Sequence, residues 1–199
     1  MALGKQAKTL TKTQVDVITN YLGTRRYGLR DQTIFLLSVR AGLRAKEIAS
    51  LKWSMVLGAD GKIGDSIHLT DEASKGRSGR IIPLNKQLLA YLVQMLDVAK
   101  NDRHFGFETA HVITNTRADH TSPQAIINMF VHWYDQLGLL GCSSHSGRRT
   151  FITNAARKIS SVGGSLRDVQ MLAGHSSLAV TQRYIEGDNE ARRKIVDIA

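Results

Sequence analysis

One stretch of the chain, residues 53–84, interrupts a sequence whose apolar residues otherwise recur at helical spacing. β-Branched and aromatic residues alternate there with turn residues, most clearly in the runs 66–69 (Ser-Ile-His-Leu) and 80–83 (Arg-Ile-Ile-Pro). A polar loop separates the two runs, so they are predicted to form a β-hairpin. The stretch therefore predicts a mainly α fold with one small antiparallel β-sheet, of the α+β class.

Helices are predicted on both sides of this hairpin, because apolar residues recur there every three or four positions between helix start and stop signals. Ser165 and Asp168 match a capping box at the start of one of them. The predicted helices cover residues 11–22, about 29–40, a short segment after Gly42, and segments that begin after Asn85 and at Ser122-Pro123; residues 144–184 read as successive helices.

Composition favours a nucleic-acid partner. The 199 residues are 42% hydrophobic, enough to bury one sizeable core, so one compact domain is expected. The formal net charge of +10 attracts polyanions regardless of their sequence, although solubilising lysines alone could account for it. The single cysteine, Cys142, excludes an internal disulfide framework and favours a reducing compartment. Without an apolar run or a signal peptide, a cytoplasmic protein with no membrane partner is expected.

Six side chains suited to moving a phosphoryl group without a metal follow one another along the chain and end in a tyrosine. Each alone has an ordinary explanation: arginines are usually solvated or paired, loop lysines are usually exposed, and histidines and tyrosines often pack in structural positions. Their joint order and spacing favour a site. The six are Arg44, Lys75, His145, Arg148, His175 and Tyr184.

Each of these residue types has a role in phosphodiester chemistry. Arg44 and Arg148 could hold the two non-bridging oxygens, since a guanidinium donates parallel hydrogen bonds and keeps its charge. Tyr184 could attack once a base or a positive field assists the loss of its proton, and His145 is the candidate for that assistance. His175 could hydrogen-bond a phosphate oxygen, and Lys75 could protonate the departing 5′-oxygen.

These motifs together resemble the catalytic domain of the tyrosine recombinase (phage integrase) family, over about residues 10–184. The resemblance implies a tyrosine recombinase/type IB topoisomerase-like fold, the six catalytic roles above, and a supporting, partly buried carboxylate at Glu47. The matching motifs are G-L-R-x-x-E-[IL] at residues 42–48, a hairpin lysine at 75 followed by R-x-[VI]-P-L at 80–84, H-x-x-R at 145–148, G-H at 174–175 and T-x-x-Y at 181–184.

The chain departs from the family pattern in three ways. Gly147 and Ala173 stand where leucine is common, and both are expected to weaken packing near the site. Most members also carry an N-terminal core-binding domain that closes around DNA, and none is expected here because the catalytic domain begins almost at Met1. Residues 1–199 are therefore expected to be a single catalytic domain, either excised from a longer recombinase or similar to short stand-alone recombinases.

The resemblance implies a site-specific DNA recombinase that cuts and rejoins strands through a 3′-phosphotyrosine, in integration, excision or inversion, with no metal or other cofactor. Two alternatives remain open: a DNA-binding regulator that keeps the fold without cutting, and a type IB topoisomerase-like enzyme that relaxes DNA. A hydrolytic metallonuclease is disfavoured, because no carboxylate cluster accompanies the histidines.

Double-stranded DNA is the expected partner, in a bacterial or phage protein associated with the nucleoid. The tail at residues 185–199 mixes charges with an apolar stripe, which suits a short helix. Packing on its own domain and docking on a neighbouring protomer are both open for this tail, and docking would give a dimer to tetramer on DNA. Basic residues expected to touch backbone phosphates are Lys5, Lys8, Lys12, Arg25, Arg26, Arg30, Arg77 and Arg80.

Overall fold

The computed structural model describes residues 7–74, 78–102, 105–115, 118–184 and 196. These segments are mainly helical with a two-stranded antiparallel sheet, which confirms the predicted fold class. No helix within them is long and apolar enough to cross a bilayer. The elements are α1 (Lys12–Gly23), α2 (Gly28–Ala41), α3 (Ala45–Ala49), a 3-10 helix (Trp53–Met55), β1 (Ser66–Leu69), β2 (Arg80–Pro83), α4 (Lys86–Ala99), α5 (Pro123–Gln136), α6 (Ser146–Lys158), a second 3-10 helix (Ile159–Val162), α7 (Leu166–Ala173) and α8 (Leu178–Gln182).

Several helix starts coincide with side-chain caps that the sequence predicts. At α1, the Thr11 hydroxyl accepts from the Gln14 N–H at 3.2 Å, and the Gln14 side chain accepts from the Thr11 N–H at 2.9 Å. Asn85 accepts from Gln87 N–H at 3.0 Å before α4, and Ser122 caps α5 in the same way. Each cap satisfies an N–H that has no partner inside the helix, and so fixes where the helix begins.

The hairpin is shorter than the β-like stretch 53–84 of the sequence. β1 pairs with β2 from Ser66 opposite Pro83 to Leu69 opposite Arg80. One face of the pair is buried through Ile67, Leu69 and Ile82, whereas Ile81 on the other face is 59% exposed. The aromatic start of the stretch instead forms the 3-10 helix Trp53–Met55, and Trp53 is buried in the main core.

Helix α2 is the centre of the main core. Its residues from Thr33 to Val39 are all buried, and it contacts α1, α4 and α6. The helix ends at Gly42 in the left-handed region, with φ of +66°, which glycine adopts without the usual steric cost. This sharp end places Arg44 at the start of α3.

Gly147 lets α6 pack closely against α2 at Ser38. A Cβ atom at Gly147 would lie 2.5 Å from Ser38 Oγ and 3.0 Å from Ser38 Cβ. A leucine does not fit there unless the helices move apart, so the expectation that Gly147 weakens packing is wrong. Ala173 is also fully packed, against Ile152 and Val169 in a smaller cluster.

Replacing Gly147 by alanine should destabilise the protein, although alanine is the better helix former. The added methyl overpacks the contact with Ser38, which typically costs about 1–3 kcal/mol. Urea unfolding measures the loss. Asn154→Ala, on the exposed side of α6, is the control, and the double variant Gly147→Ala/Ser38→Ala should recover part of the loss. A Gly147→Ala variant as stable as the parent would contradict this account.

Candidate active site

Arg44 is held by the buried carboxylate of Glu47 at the first turn of α3. Its Nη1 donates to Glu47 Oε1 at 2.8 Å, and its backbone N–H donates to Glu47 Oε2 at 2.8 Å. The Arg44 side chain stays 25% exposed while Glu47 is completely buried. Glu47 therefore orients a guanidinium whose outer edge remains open to an anion.

Arg80 holds the other side of Glu47. Its Nη1 and Nη2 donate to the two carboxylate oxygens at 3.0 and 3.1 Å, and its Nε donates to the carbonyl of Leu172 at 2.8 Å. Only 6% of the Arg80 side chain is exposed. The expectation that Arg80 touches a DNA phosphate is therefore not supported, because its guanidinium is occupied behind the site and links strand β2 to α3 and α7.

Glu47 is ionised in this setting. Burial acts to raise its pKa, but the hydrogen bonds and charge of Arg80, followed by those of Arg44, outweigh burial and hold the pKa below its ordinary value. Removal of any one of these three charged side chains should destabilise the folded protein, because it leaves an uncompensated charge in the interior.

Arg148 lies on the first turn of α6 and is 4% exposed. Its Nη1 donates to the carbonyl of Gly42 and its Nη2 to the carbonyl of Ala173, both at 2.6 Å. These carbonyls lie at the ends of α2 and α7, where partial negative charge accumulates. Burial, together with the positive charges of Arg44 and Arg80, lowers the pKa of Arg148 to about 10, so the guanidinium is still charged at neutral pH.

His175 follows the left-handed residue Gly174 that ends α7. Its backbone is fixed by Gln170, whose carbonyl accepts from the His175 N–H at 3.1 Å and whose Nε2 donates to the His175 carbonyl at 3.0 Å. Its Nδ1 lies 2.9 Å from the hydroxyl of Thr181. Burial, followed by the charges of Arg148, Arg44 and Arg80, lowers the pKa of His175 to about 4, so the imidazole is neutral at pH 7.

Tyr184 stacks on the imidazole of His175, with ring centroids 5.4 Å apart and planes inclined by 22°. It lines a cavity of about 450 Å³ together with His145 and Arg148. A neighbouring cavity of about 680 Å³ contains Arg44 and His175, and Val180 lines both. The phenol and the guanidiniums thus border adjoining spaces large enough for a phosphate group.

The structure brings together five of the six residues proposed as catalytic. Arg44, His145, Arg148, His175 and Tyr184 line the two adjoining cavities. Lys75 lies outside the described residues. The residue just before it is described: the carbonyl of Ser74 accepts from Lys46 of α3 at 2.9 Å.

The other basic residues are spread over the surface. Lys8 and Lys12 are exposed at the start of the described chain, and Ala7, next to Lys8, lines the cavity of Tyr184. Arg25 and Arg26 lie in the turn between α1 and α2, each within 5.4 Å of a tyrosine ring. Arg30 donates to Asp31 at 2.8 Å. Lys5 and Arg77 lie outside the described residues, as does the tail at 185–199 except for Val196.

Sequence reasoning missed three contributors near Tyr184. Thr181 belongs to the T-x-x-Y motif but no role was predicted for it, although it lies on α8 and its carbonyl accepts from the Tyr184 N–H in the turn that follows the helix. Arg149 and Arg183 line the cavity of Tyr184, and each is adjacent in sequence to a motif residue. Within the described segments, no group of three or more His, Cys, Asp or Glu side chains could hold a metal ion.

Replacing Glu47 by glutamine should destabilise the protein by about 3–5 kcal/mol at neutral pH, the range for removing one partner of a buried ion pair. Because the folded-state pKa of Glu47 lies below its ordinary value of 4.5, its stabilising effect is present above that pH and is lost as the pH falls below it. The difference in the free energy of unfolding between variant and parent, measured with urea, should therefore become smaller in acid.

Glu72→Gln, which changes an exposed carboxylate in the same way, is the matched control for Glu47→Gln. It should leave stability nearly unchanged at both pH values. Equal effects of the two substitutions would show that Glu47 does not hold the arginines in place.

Comparison with known proteins places this fold and motif set in one family. The phage integrase family matches residues 8–191. The chain is 29% identical to tyrosine recombinase XerA of Pyrococcus horikoshii over 192 residues, covering 96% of this chain and 61% of the relative. Such curated relatives are longer, and the chain spans between about half and three fifths of their length.

Solved structures of recombinases share the fold. A crystal structure of XerA recombinase superposes with a TM-score of 0.74 at 21% identity, covering 94% of this chain and 63% of that one. XerH site-specific recombinase, in a post-cleavage complex with a palindromic difH substrate, gives 0.73 at 17% identity, covering 96% and 52%. The match across most of the sequence, together with the motifs and the shared fold, shows that this chain belongs to the phage integrase family.

Proposed function

We propose that this chain is the catalytic domain of a site-specific DNA recombinase, which cleaves and rejoins strands through a covalent 3′-phosphotyrosyl intermediate. The observation that carries the proposal is the position of Tyr184, whose ring stacks on His175 and which lines the same cavity as Arg148. Relatives named tyrosine recombinases, and a neighbouring fold solved with its DNA substrate after cleavage, support the same activity.

The charges around the cavities suit a phosphodiester. Arg44, Arg80 and Arg148 surround the single carboxylate of Glu47, so this group has an excess of positive charge. A guanidinium has five N–H donors, so Arg148, which lines the cavity of Tyr184, keeps donors beyond its two bonds to Gly42 and Ala173. Donors fixed in advance favour the pentacoordinate transition state, in which the non-bridging oxygens gain charge.

The proposed step is an in-line displacement at phosphorus. The Tyr184 oxygen forms the new bond to phosphorus as the bond to the 5′-oxygen breaks, which leaves a 3′-phosphotyrosine and a free 5′-hydroxyl. His145, which lines the same cavity as Tyr184, takes the phenol proton, and Lys75 gives a proton to the 5′-oxygen. His175, neutral at pH 7, donates a hydrogen bond to a non-bridging oxygen. Attack by a 5′-hydroxyl reverses these transfers and rejoins the strand.

Double-stranded DNA is the proposed substrate, and the basic surface outside the cavities is proposed to contact its backbone. Lys8, Lys12, Arg25, Arg26 and Arg77 would position the duplex without reading its sequence. We further propose that the protein assembles as a dimer to tetramer on DNA through residues 185–199. Val196, the described residue of that tail, is 75% exposed and could be covered by a second protomer.

The first experiment incubates the protein with DNA of its source genome in EDTA, denatures it, and sequences the DNA that stays covalently attached. Adducts at a reproducible sequence are expected from the parent chain and not from Tyr184→Phe, which keeps the ring but lacks the nucleophilic oxygen. Adducts that persist in the variant would overturn the assignment of Tyr184.

The same experiment separates the alternatives. Adducts scattered over the genome would favour a relaxing, topoisomerase-like activity. Tight DNA binding without adducts would favour a regulator that does not cut, or a requirement for further parts of a longer protein. Cleavage that needs a divalent metal, and therefore fails in EDTA but not in Mg²⁺, would favour a metal-dependent nuclease.

The dependence of DNA affinity on salt tests the backbone contacts. If Lys8 and Lys12 each neutralise one phosphate, the double variant Lys8→Gln/Lys12→Gln should reduce the slope of log affinity against log salt by about 1.8. Fluorescence anisotropy with a short duplex measures the slope. Lys62→Gln changes an exposed lysine in another part of the fold and should leave the slope unchanged. An unchanged slope in the double variant would remove both lysines from the interface.

A further inference from the structure

The hydroxyl of Thr181 lies inside the protein against the imidazole of His175. Thr181 is completely buried on α8, and its Oγ1 lies 2.9 Å from His175 Nδ1. A buried hydroxyl hydrogen without an acceptor is destabilising, because it loses the hydrogen bond that it makes to water in the unfolded chain; Thr153 on α6 is one buried hydroxyl that lacks a partner among the described residues. The acceptor of the Thr181 hydroxyl hydrogen therefore decides which nitrogen of His175 carries the proton.

The usual acceptor for a threonine in a helix is the carbonyl four residues earlier. Three other helix threonines of this chain donate in that way, at 2.7 to 2.8 Å: Thr19, Thr33 and Thr150. The hydroxyl of Thr181 makes no such bond within the part of the chain that the structure describes, and its one hydrogen-bond partner there is His175 Nδ1. Among the described residues, Nδ1 is therefore the candidate acceptor for the hydroxyl hydrogen of Thr181.

We infer that Thr181 donates its hydroxyl proton to Nδ1 of His175 and thereby holds the imidazole as the Nε2–H tautomer, which makes Thr181 a positioning residue for the site. The part of this inference that concerns phosphate rests on the proposed function. A neutral imidazole has a single N–H, so the tautomer decides whether the ring offers a donor or a lone pair to an anion. With Nδ1 accepting from Thr181, Nε2–H is the donor available to a phosphate oxygen.

The opposite direction of this hydrogen bond, from His175 Nδ1–H to the Thr181 hydroxyl, leaves more polar groups without a partner. If Nδ1–H donated to Thr181, the buried hydroxyl hydrogen would have no recorded acceptor, and Nε2 would present a lone pair. His175 lines the cavity that contains Arg44, and a lone pair beside a bound phosphate oxygen would repel it. Burial and the neighbouring arginines keep the ring uncharged at pH 7, so the two neutral tautomers are the forms to compare.

Thr181 also links the imidazole to the nucleophile. The Tyr184 N–H donates to the Thr181 carbonyl at 3.1 Å, and the Tyr184 ring stacks on the His175 ring that Thr181 contacts. One turn at the end of α8 therefore holds both rings. A substitution that removes the hydroxyl but keeps the branched shape should leave this turn intact and change only the hydrogen bond.

The direct test is ¹⁵N NMR of the full chain labelled with [¹⁵N]histidine, without DNA. The shifts of the two ring nitrogens report the tautomer, and His175→Gln assigns the His175 signals. The parent chain and Thr181→Ser should show the Nε2–H tautomer, whereas Thr181→Val should show an increased Nδ1–H population. An Nδ1–H tautomer in the parent chain would overturn the inference, whatever the protein does to DNA, and so would a tautomer unchanged by Thr181→Val.

A second arm measures strand cleavage on the DNA sequence recovered from the covalent adducts. Thr181→Val should lower the single-turnover rate at saturating DNA at least about tenfold, towards the ~10²–10³ seen when an oxyanion donor is deleted, with unchanged DNA affinity. Thr181→Ser should stay near the parent rate, which separates the hydroxyl from the methyl group. An unchanged rate in Thr181→Val would remove Thr181 from the mechanism. Failure of the parent chain to cleave would count against the proposed function while leaving the NMR result to decide the tautomer.

Discussion

The ion pairs of Glu47 with Arg44 and Arg80 are the interaction on which the site depends. A fully buried carboxylate is costly to remove from water, and it is compensated here by two guanidiniums from different parts of the chain. Arg80 extends the group to the carbonyl of Leu172, near the end of α7. The positions of α3, the hairpin and α7 therefore depend on one side chain, and the residues they carry, from Arg44 to His175, are positioned together.

Arg148 links the ends of α2 and α7, as Glu47 links α3 to the hairpin. By donating to the carbonyls of Gly42 and Ala173 it satisfies groups that α2 and α7 leave unpaired at their ends. The helix ends supply partial negative charge that favours a buried guanidinium so close to Arg44 and Arg80. The same side chains thus hold the fold together and create the positive field for an anion, so stability and substrate binding are not separable properties at this site.

Local features of the fold could be predicted from the sequence, and long-range ones could not. Caps at Thr11 and Asn85, the break at Gly42 and the hairpin all follow from neighbouring residues. Five of the six motif residues, all except Lys75, which lies outside the described residues, line the two adjoining cavities. Arg80 was assigned to the surface, because nothing near it in sequence reveals that Glu47, 33 positions away, and Leu172, 92 positions away, are its partners. The bond from Thr181 to His175 was missed for a related reason, since it depends on the angle between α8 and the end of α7.

The contact between Gly147 and Ser38 has a consequence for distances within the site. Arg148 follows Gly147 directly, and Arg44 lies two residues beyond the glycine that ends the helix of Ser38. The separation of the two arginines is therefore set where two helix backbones meet, without a large side chain between them. A side chain larger than glycine at position 147 would push the two helix backbones apart and so change the separation of the two arginines.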